Sequence, residues 1–309
     1  MDPASHVIVG IALSKAMQPY IGASNMITAA FALGSLLPDA DIVLQKWGDY
    51  FYLRNHRGAS HSIVGIVIGS LLTSAVLAGI NGNADLFAYF VCCFFGAMAH
   101  VGLDIFNSYG AEILWPLSCR KFTLNLLPIF DPVIAAALLG YIFVSSRAGT
   151  ILIFIAIAYI VLRLLMKLSV RIRLNNMYFG EYKKIYVLPS TTRLFNWHFV
   201  VCMDKCNIVG EASTMCKKIK IFRELPELEH SIAEKIEDTL ISKFFKKFTP
   251  LCHVTCRKTT DGILEFLLID MRYFIKNNFL HHATAILGPD YKIVGEFFQP
   301  YNIKRKIEI

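Results

Sequence analysis

Along the first half of the chain, apolar residues come in runs too long for strands and too continuous for one-sided helices. Six such runs stand out, at residues 7–21, 26–44, 63–80, 86–105, 132–144 and 149–165. A helix rises 1.5 Å per residue, so about 20 apolar residues cross a hydrocarbon core of roughly 30 Å. Each run approaches that length and predicts a membrane span. The first and fifth are short, and the first carries Lys15, so both are expected to lean on protein neighbours.

From residue 174 onward the pattern changes. Short runs at 194–203, 218–222, 251–257, 263–269 and 293–298 read as strands, with Asp261-Gly262 as a hairpin turn between two of them. Residues 227–247 carry Leu228, Ile232, Ile236, Leu240 and Phe244 at helical spacing, with Pro250 beyond the end. The predicted architecture is an α-helical polytopic membrane domain of about six spans over residues 1–173. A smaller soluble α+β domain follows over residues 174–309.

Composition agrees with this division. Hydrophobic residues make up 55% of the 309, charged residues 17%, and mean hydropathy is +0.50, which excludes an ordinary soluble domain. Lys and Arg gather in the loops at 45–62 and 106–131 and after the last run, while residues 22–25 and 81–85 carry none. The positive-inside rule then predicts a multi-pass protein of the bacterial cytoplasmic membrane, with both termini and the C-terminal domain in the cytoplasm. No basic leader with a small-residue cleavage site opens the chain, so His6 is expected to be retained. The eight cysteines follow no disulfide framework and suit a reducing compartment. A net charge of +8 comes without any nucleic-acid-binding motif, so anionic membrane lipids are the expected partner and nucleic acid is not.

The inferred topology assigns every histidine of the membrane half, His6, His56, His61 and His100, to one face. Asp39, Asp41, Asp104 and Asp131 fall there too. Ionisable groups near hydrocarbon are costly unless paired, hydrated or metal-bound, so such residues are functional candidates. In HVGLD, His100 and Asp104 are four apart and share a helix face, and Asn107 continues it. In PDAD, Pro38 ends a helix and exposes two carboxylates. In HRGASHS, Gly58 between His56 and His61 allows close approach to an ion or phosphate, and Arg57 is available for an anion.

Histidine with aspartate suits zinc, manganese or iron(II). So many candidates exceed one tetrahedral site, which points to two ions and a water of lowered pKa as the nucleophile. The expected metal ligands are His6, Asp41, His56, His61, His100 and Asp104, with Arg57, Asp39 and Asp131 as supporting catalytic residues. Plainer readings stand beside these. A single interfacial histidine serves as an anchor, Asp131 caps a helix, Asp39 caps or supports Asp41, and His100 with Asp104 forms a structural hydrogen bond.

The segments MDPASH, LLPDAD, NHRGASHS, AHVGLDIFNSYG and FDP resemble, in order, the YdjM/YfhP-type family of bacterial membrane-bound metal-dependent hydrolases. The HRG-x-[ST]-HS element is the most specific part, with Ala59 variable and Ser60 supplying the hydroxyl. LPSTTRLFNWHFVV and FTP…DG…FLLIDMRY resemble the C-terminal extension of the YfhP branch. More distantly, the order Asp41, His56 or His61, His100, Asp104 is similar to the ligand order of zinc-dependent phospholipase C and P1-type nucleases. That likeness implies phosphoester hydrolysis, although the downstream His and Glu ligands of those enzymes have no match here.

The expected function is therefore metal-dependent hydrolysis of a phosphoester in a lipid or lipid-linked substrate at the cytoplasmic face. A non-catalytic metal-binding scaffold or signalling protein and a metal transporter are the alternatives. The transporter would favour polar residues through the bilayer midplane, where the runs carry few. In the C-terminal half, Cys202, Cys206, Cys252 and Cys256 are expected as buried thiols, His198 and His253 as structural residues, and His281 and His282 at the surface. The basic runs Lys217, Lys218, Lys220, Arg223 and Lys243, Lys246, Lys247 are expected as solvated faces or head-group contacts.

Overall fold

In the computed structural model, every residue is described except Met1, Ala23, Asn83, Ala84, Lys217, Thr260, Lys276 and Ile309. Lys217 and parts of the loops at 22–25 and 81–85 thus lie outside the described residues. The chain forms two compact units. One comprises Met1–Lys46 and Asn55–Leu165, the other Trp47–Arg54 and Met166–Ile309.

The first unit is helical. Asp2 accepts the Ser5 amide at 3.1 Å and Pro3 opens α1, Pro3–Ile21. Then come α2 (Asn25–Leu36), α4 (Ile63–Asn81), α5 (Leu86–Phe106), α6 (Pro132–Phe143) and α7 (Ser146–Met177), whose last part from Met166 belongs to the second unit, as does α3 (Asp49–Asn55) up to Arg54. At Pro38 the second run tightens into a 3-10 segment, Leu37–Trp47. Among the described residues, four helical stretches are long and apolar enough to cross a membrane: Asn25–Trp47, Ile63–Asn81, Leu86–Phe106 and Ser146–Met177. The expected count of about six is not reached, because the twelve residues of α6 are too short and α1 is not among the four. The ammonium of Lys15 donates to the carbonyls of Tyr141, Ile142 and Val144 at 2.6–3.0 Å, which satisfies the open C-terminal end of α6.

Helices α2 and α5 meet almost backbone to backbone. A Cβ on Gly34 would run into the Cys93 carbonyl, and one on Gly96 into the Phe31 carbonyl. Ala30, Phe31, Leu77, Tyr89, Cys92 and Cys93 pack the core beside this contact.

The second unit has two antiparallel sheets. The first holds β1 (Tyr182–Pro189), β2 (Asn196–Met203), β3 (Cys206–Ser213) and β4 (Ile219–Pro226) in chain order. The other contains β5 (Cys252–Lys258), β6 (Leu264–Asp270), β9 (His282–Leu287), β10 (Ile293–Gln299) and β11 (Ile307–Glu308), in the order β11-β10-β9-β6-β5. A short hairpin joins β7 (Phe274–Ile275) to β8 (Asn278–Phe279). The single helix expected over 227–247 is instead α8 (His230–Ala233), a 3-10 turn at Glu234–Ile236 and α9 (Leu240–Phe248). Thr239 caps α9 and resets the helical phase, so Leu240 is exposed while Ile241, Phe244 and Phe245 are buried.

His281 and His282 are buried, contrary to the surface position expected for them. His281 packs among the rings of Phe248, Tyr273 and Tyr301. Close by, Asp270 accepts from Thr249 Oγ at 2.7 Å and from Arg272 Nη2 at 2.8 Å. Burial alone would raise the Asp270 carboxyl, but the Arg272 guanidinium outweighs it and holds the group below the usual carboxylate range. Burial pushes the His281 imidazole down to about 4.

Two expectations follow. Gly34→Ala overfills the α2–α5 contact and should cost about 1–3 kcal/mol, read as a lowered thermal midpoint of the detergent-solubilised chain. The second unit should be acid-labile. His281 stays neutral when folded but protonates when unfolded, so its contribution is complete above about pH 6.5 and is lost towards pH 4. Asp270 adds a further loss at lower pH. The His281 part amounts to about 3 kcal/mol and should appear as falling amide protection of β6 and β9, with His281→Asn flattening that limb.

Candidate metal centre

Helix α5 carries His100 and Asp104 one turn apart on a face with no solvent exposure. The close approach of α2 lets the Ser35 carbonyl accept from His100 Nδ1 at 2.7 Å. That bond fixes the tautomer, since a neutral imidazole donating through Nδ1 presents a bare lone pair at Nε2.

The turn after α3 fixes the tautomer of His61. Ser60 Oγ donates to Asp41 Oδ2 at 3.0 Å, which uses its only proton. The 3.0 Å contact from Ser60 Oγ to His61 Nδ1 must then be donated by the imidazole, so His61 Nε2 is bare as well. Burial pushes His61 down to about 4, so the ring is neutral near pH 7.

His61 Nε2 and His100 Nε2 face each other at 3.3 Å. Asp104 Oδ2 lies 3.4 Å from His61 Nε2 and 3.7 Å from His100 Nε2, and Asp39 Oδ1 lies 3.6 and 3.5 Å from the same atoms. A tetrahedral ion about 2.1 Å from each ligand has donors about 3.4 Å apart. The spacing of His61 Nε2, His100 Nε2 and Asp104 Oδ2 fits three ligands of such an ion.

His6 stacks on His100, with ring centroids 3.5 Å apart, and its Nε2 lies 3.7 Å from Asp104 Oδ1. Both nitrogens of this buried ring have no hydrogen-bond partner among the described residues, which also suits a ligand. His56 Nδ1 meets both Asp41 oxygens at 3.0 Å. Among the described residues, three sets can hold an ion: His6, Asp39 and His100; His61, His100 and Asp104; and Asp39, Asp41 and His56. Asp39 and His100 each belong to two of these sets.

Arg57 and Asn107 hold Asp104 in place. Arg57 has a left-handed backbone, φ 64°, and the next residue is Gly58, where a Cβ would lie 2.9 Å from the Asn55 carbonyl. This turn brings Arg57 Nη2 to 3.3 Å from Asp104 Oδ1 and lets Nη1 donate to Asn107 Oδ1 at 3.0 Å. Asn107 Nδ2 donates to Asp104 Oδ1 at 3.0 Å, while its own oxygen also accepts the amides of Tyr109 and Gly110. The guanidinium offered by the sequence to a substrate anion is thus engaged within the protein.

Asp131 stands outside the three sets. It caps α6 by accepting from the amides of Val133 and Ile134, and it takes a 2.8 Å bond from Tyr159 Oη. Near this cap, Arg163 donates to the Leu126 carbonyl at 3.0 and 3.2 Å. Sequence reasoning passed over Arg163 and Tyr159, although an arginine inside the last apolar run was a signal. It also passed over Ser35, which acts through its carbonyl and leaves no side-chain signature.

A protein of Bacillus subtilis (strain 168), described as uncharacterized protein YfhP, is 28% identical over 328 residues, covering 100% of this chain and 99% of that one. No solved structure matches the chain. Residues 231–307 match the YfhP C-terminal alpha/beta plait domain. Residues 1–170, which include every residue of the three sets, match the YdjM inner membrane protein family, to which this chain belongs.

Proposed function

We propose that the chain is a metal-dependent hydrolase of the bacterial cytoplasmic membrane, cleaving a phosphoester in a lipid or lipid-linked substrate. In this reading the site lies at the cytoplasmic face, with both termini and the C-terminal unit in the cytoplasm. The observation that carries it is the approach of His61 Nε2 and His100 Nε2 to 3.3 Å, with one oxygen of Asp104 and one of Asp39 each 3.4–3.7 Å from both nitrogens.

A divalent ion in this position supplies Lewis acidity and lowers the pKa of water towards neutrality. Zinc suits the ligand set best, with manganese and iron(II) as alternatives, and two sets that share no residue, His61/His100/Asp104 and Asp39/Asp41/His56, support two ions. The chain's own residues hold and orient. Ser60 and the Ser35 carbonyl orient the imidazoles, and Arg57 with Asn107 keeps Asp104 aimed. The lipid character of the substrate rests on the position of these residues in or beside span-length helices, on the reading that their ends reach the head groups.

Purified protein should hold stoichiometric divalent metal and turn over phospholipid or generic phosphoesters. His100→Ala and Asp104→Ala should lose both properties, and the exposed control His230→Ala neither. Asn107→Ala should weaken metal affinity about 10–100-fold by releasing Asp104. Active protein free of metal would overturn the mechanism.

Topology has its own measurement. Cys119 and Cys216 are the exposed thiols among the described residues, so Cys119→Ser leaves Cys216 to report on the C-terminal unit. An impermeant maleimide should label it in inverted vesicles and not in intact cells; labelling from outside would reverse the orientation.

A further inference from the structure

Between α5 and α6 the chain runs through residues 111–130 without a regular helix. Leu114, Trp115, Leu117, Phe122, Leu124, Ile129 and Phe130 are all exposed there, Leu117 to 92%. Residues 113–130 include Arg120 and Lys121 and no acidic residue. An apolar patch of this kind in water promotes association. Apolar side chains mixed with cations alone are instead the pattern of a segment lying in lipid head groups above hydrocarbon.

The segment has a fixed shape. Ala111 and Phe122 exchange backbone hydrogen bonds at 3.2 and 2.9 Å, and the amides of Leu126 and Leu127 donate to the Phe106 carbonyl. Leu126 and Leu127 point inward and are buried, so the outward direction of the other apolar residues is set by the fold. The segment is also tied to the metal centre. The Glu112 amide donates to the Arg57 carbonyl at 3.0 Å, and Thr123 Oγ1 donates to the Asn107 carbonyl. It begins a few residues beyond the end of the span-length helix α5.

We propose that residues 113–130 form a lip inserted into the head-group and upper acyl region of an anionic phospholipid leaflet, past which amphiphilic substrate reaches the metal centre. Insertion stands on exposure, charge and continuity with α5. Substrate delivery rests on the hydrolase reading above.

Trp115 lies in the lip and serves as the probe. The full-length Trp47→Phe chain is reconstituted in phosphatidylcholine–phosphatidylglycerol vesicles brominated near the top of the acyl chains; Trp197 is sealed inside the C-terminal unit, with 0% exposure. Bromination should reduce emission by about a third, as expected for an indole at the membrane interface. The reduction should vanish when Trp115→Phe is added and shrink in Leu117→Glu or in vesicles without phosphatidylglycerol. Quenching by aqueous iodide with none by bromolipid would overturn insertion, as would protection from both together with Cys119 cross-linking between copies. Equal quenching in neutral vesicles would overturn the anionic preference.

For delivery, the ratio of vesicle-borne to water-soluble phosphoester turnover should fall about tenfold in Leu117→Glu, since a charge there opposes insertion. An unchanged ratio would overturn delivery. Absence of turnover on either substrate by the parent chain would overturn the hydrolase reading and leave the quenching result standing.

Discussion

The membrane unit is organised around a repulsion. His61 and His100 aim their Nε2 atoms at each other across 3.3 Å, with Asp104 and Asp39 closing the space from the sides. In a buried environment such a set is strongly unfavourable by itself, because lone pairs and carboxylates all present negative potential to one point. A cation placed among them reverses the sign of every one of these interactions. The surrounding structure serves to keep the arrangement from relaxing.

Each restraint has a separate origin in the chain. The tautomer of His61 depends on a proton relay from its Nδ1 through Ser60 to Asp41. His100 depends on a helix backbone, the carbonyl of Ser35. Asp104 depends on Arg57 and Asn107, and removing one partner of a buried pair of this kind costs about 3–5 kcal/mol. Arg57 in turn depends on a left-handed turn that the following glycine accommodates. Five separate stretches, α1, α2 with its 3-10 extension, the turn before α4, α5 and the start of the lip, therefore converge on one point.

Much of this was legible before any coordinates. Histidine and aspartate are expensive near hydrocarbon, so their gathering at one face showed where chemistry was expected, and Pro38 marked the end of α2. The finer assignments were not legible. Asp131 could be read in the sequence as a supporting catalytic residue or as a helix cap, and its backbone neighbours make it the cap. Ser35 is silent because its contribution is a carbonyl that any residue would carry. In the second unit, β1 ends in a proline, β3 contains Gly210 and β9 is rich in alanine, so none had a strong strand pattern. His281 and His282, expected at the surface, are buried at the start of β9.

The contact between α2 and α5 has a consequence for anyone wishing to move this centre elsewhere. Copying the histidines and aspartates onto another helical bundle would reproduce the donors without their spacing, because the reach from Ser35 to His100 is set by how near two backbones come. That nearness is encoded by Gly34 and Gly96, residues that touch no ligand and contribute only hydrogen atoms. A transplant that kept all six expected ligands and changed these two would carry the chemistry and lose the geometry.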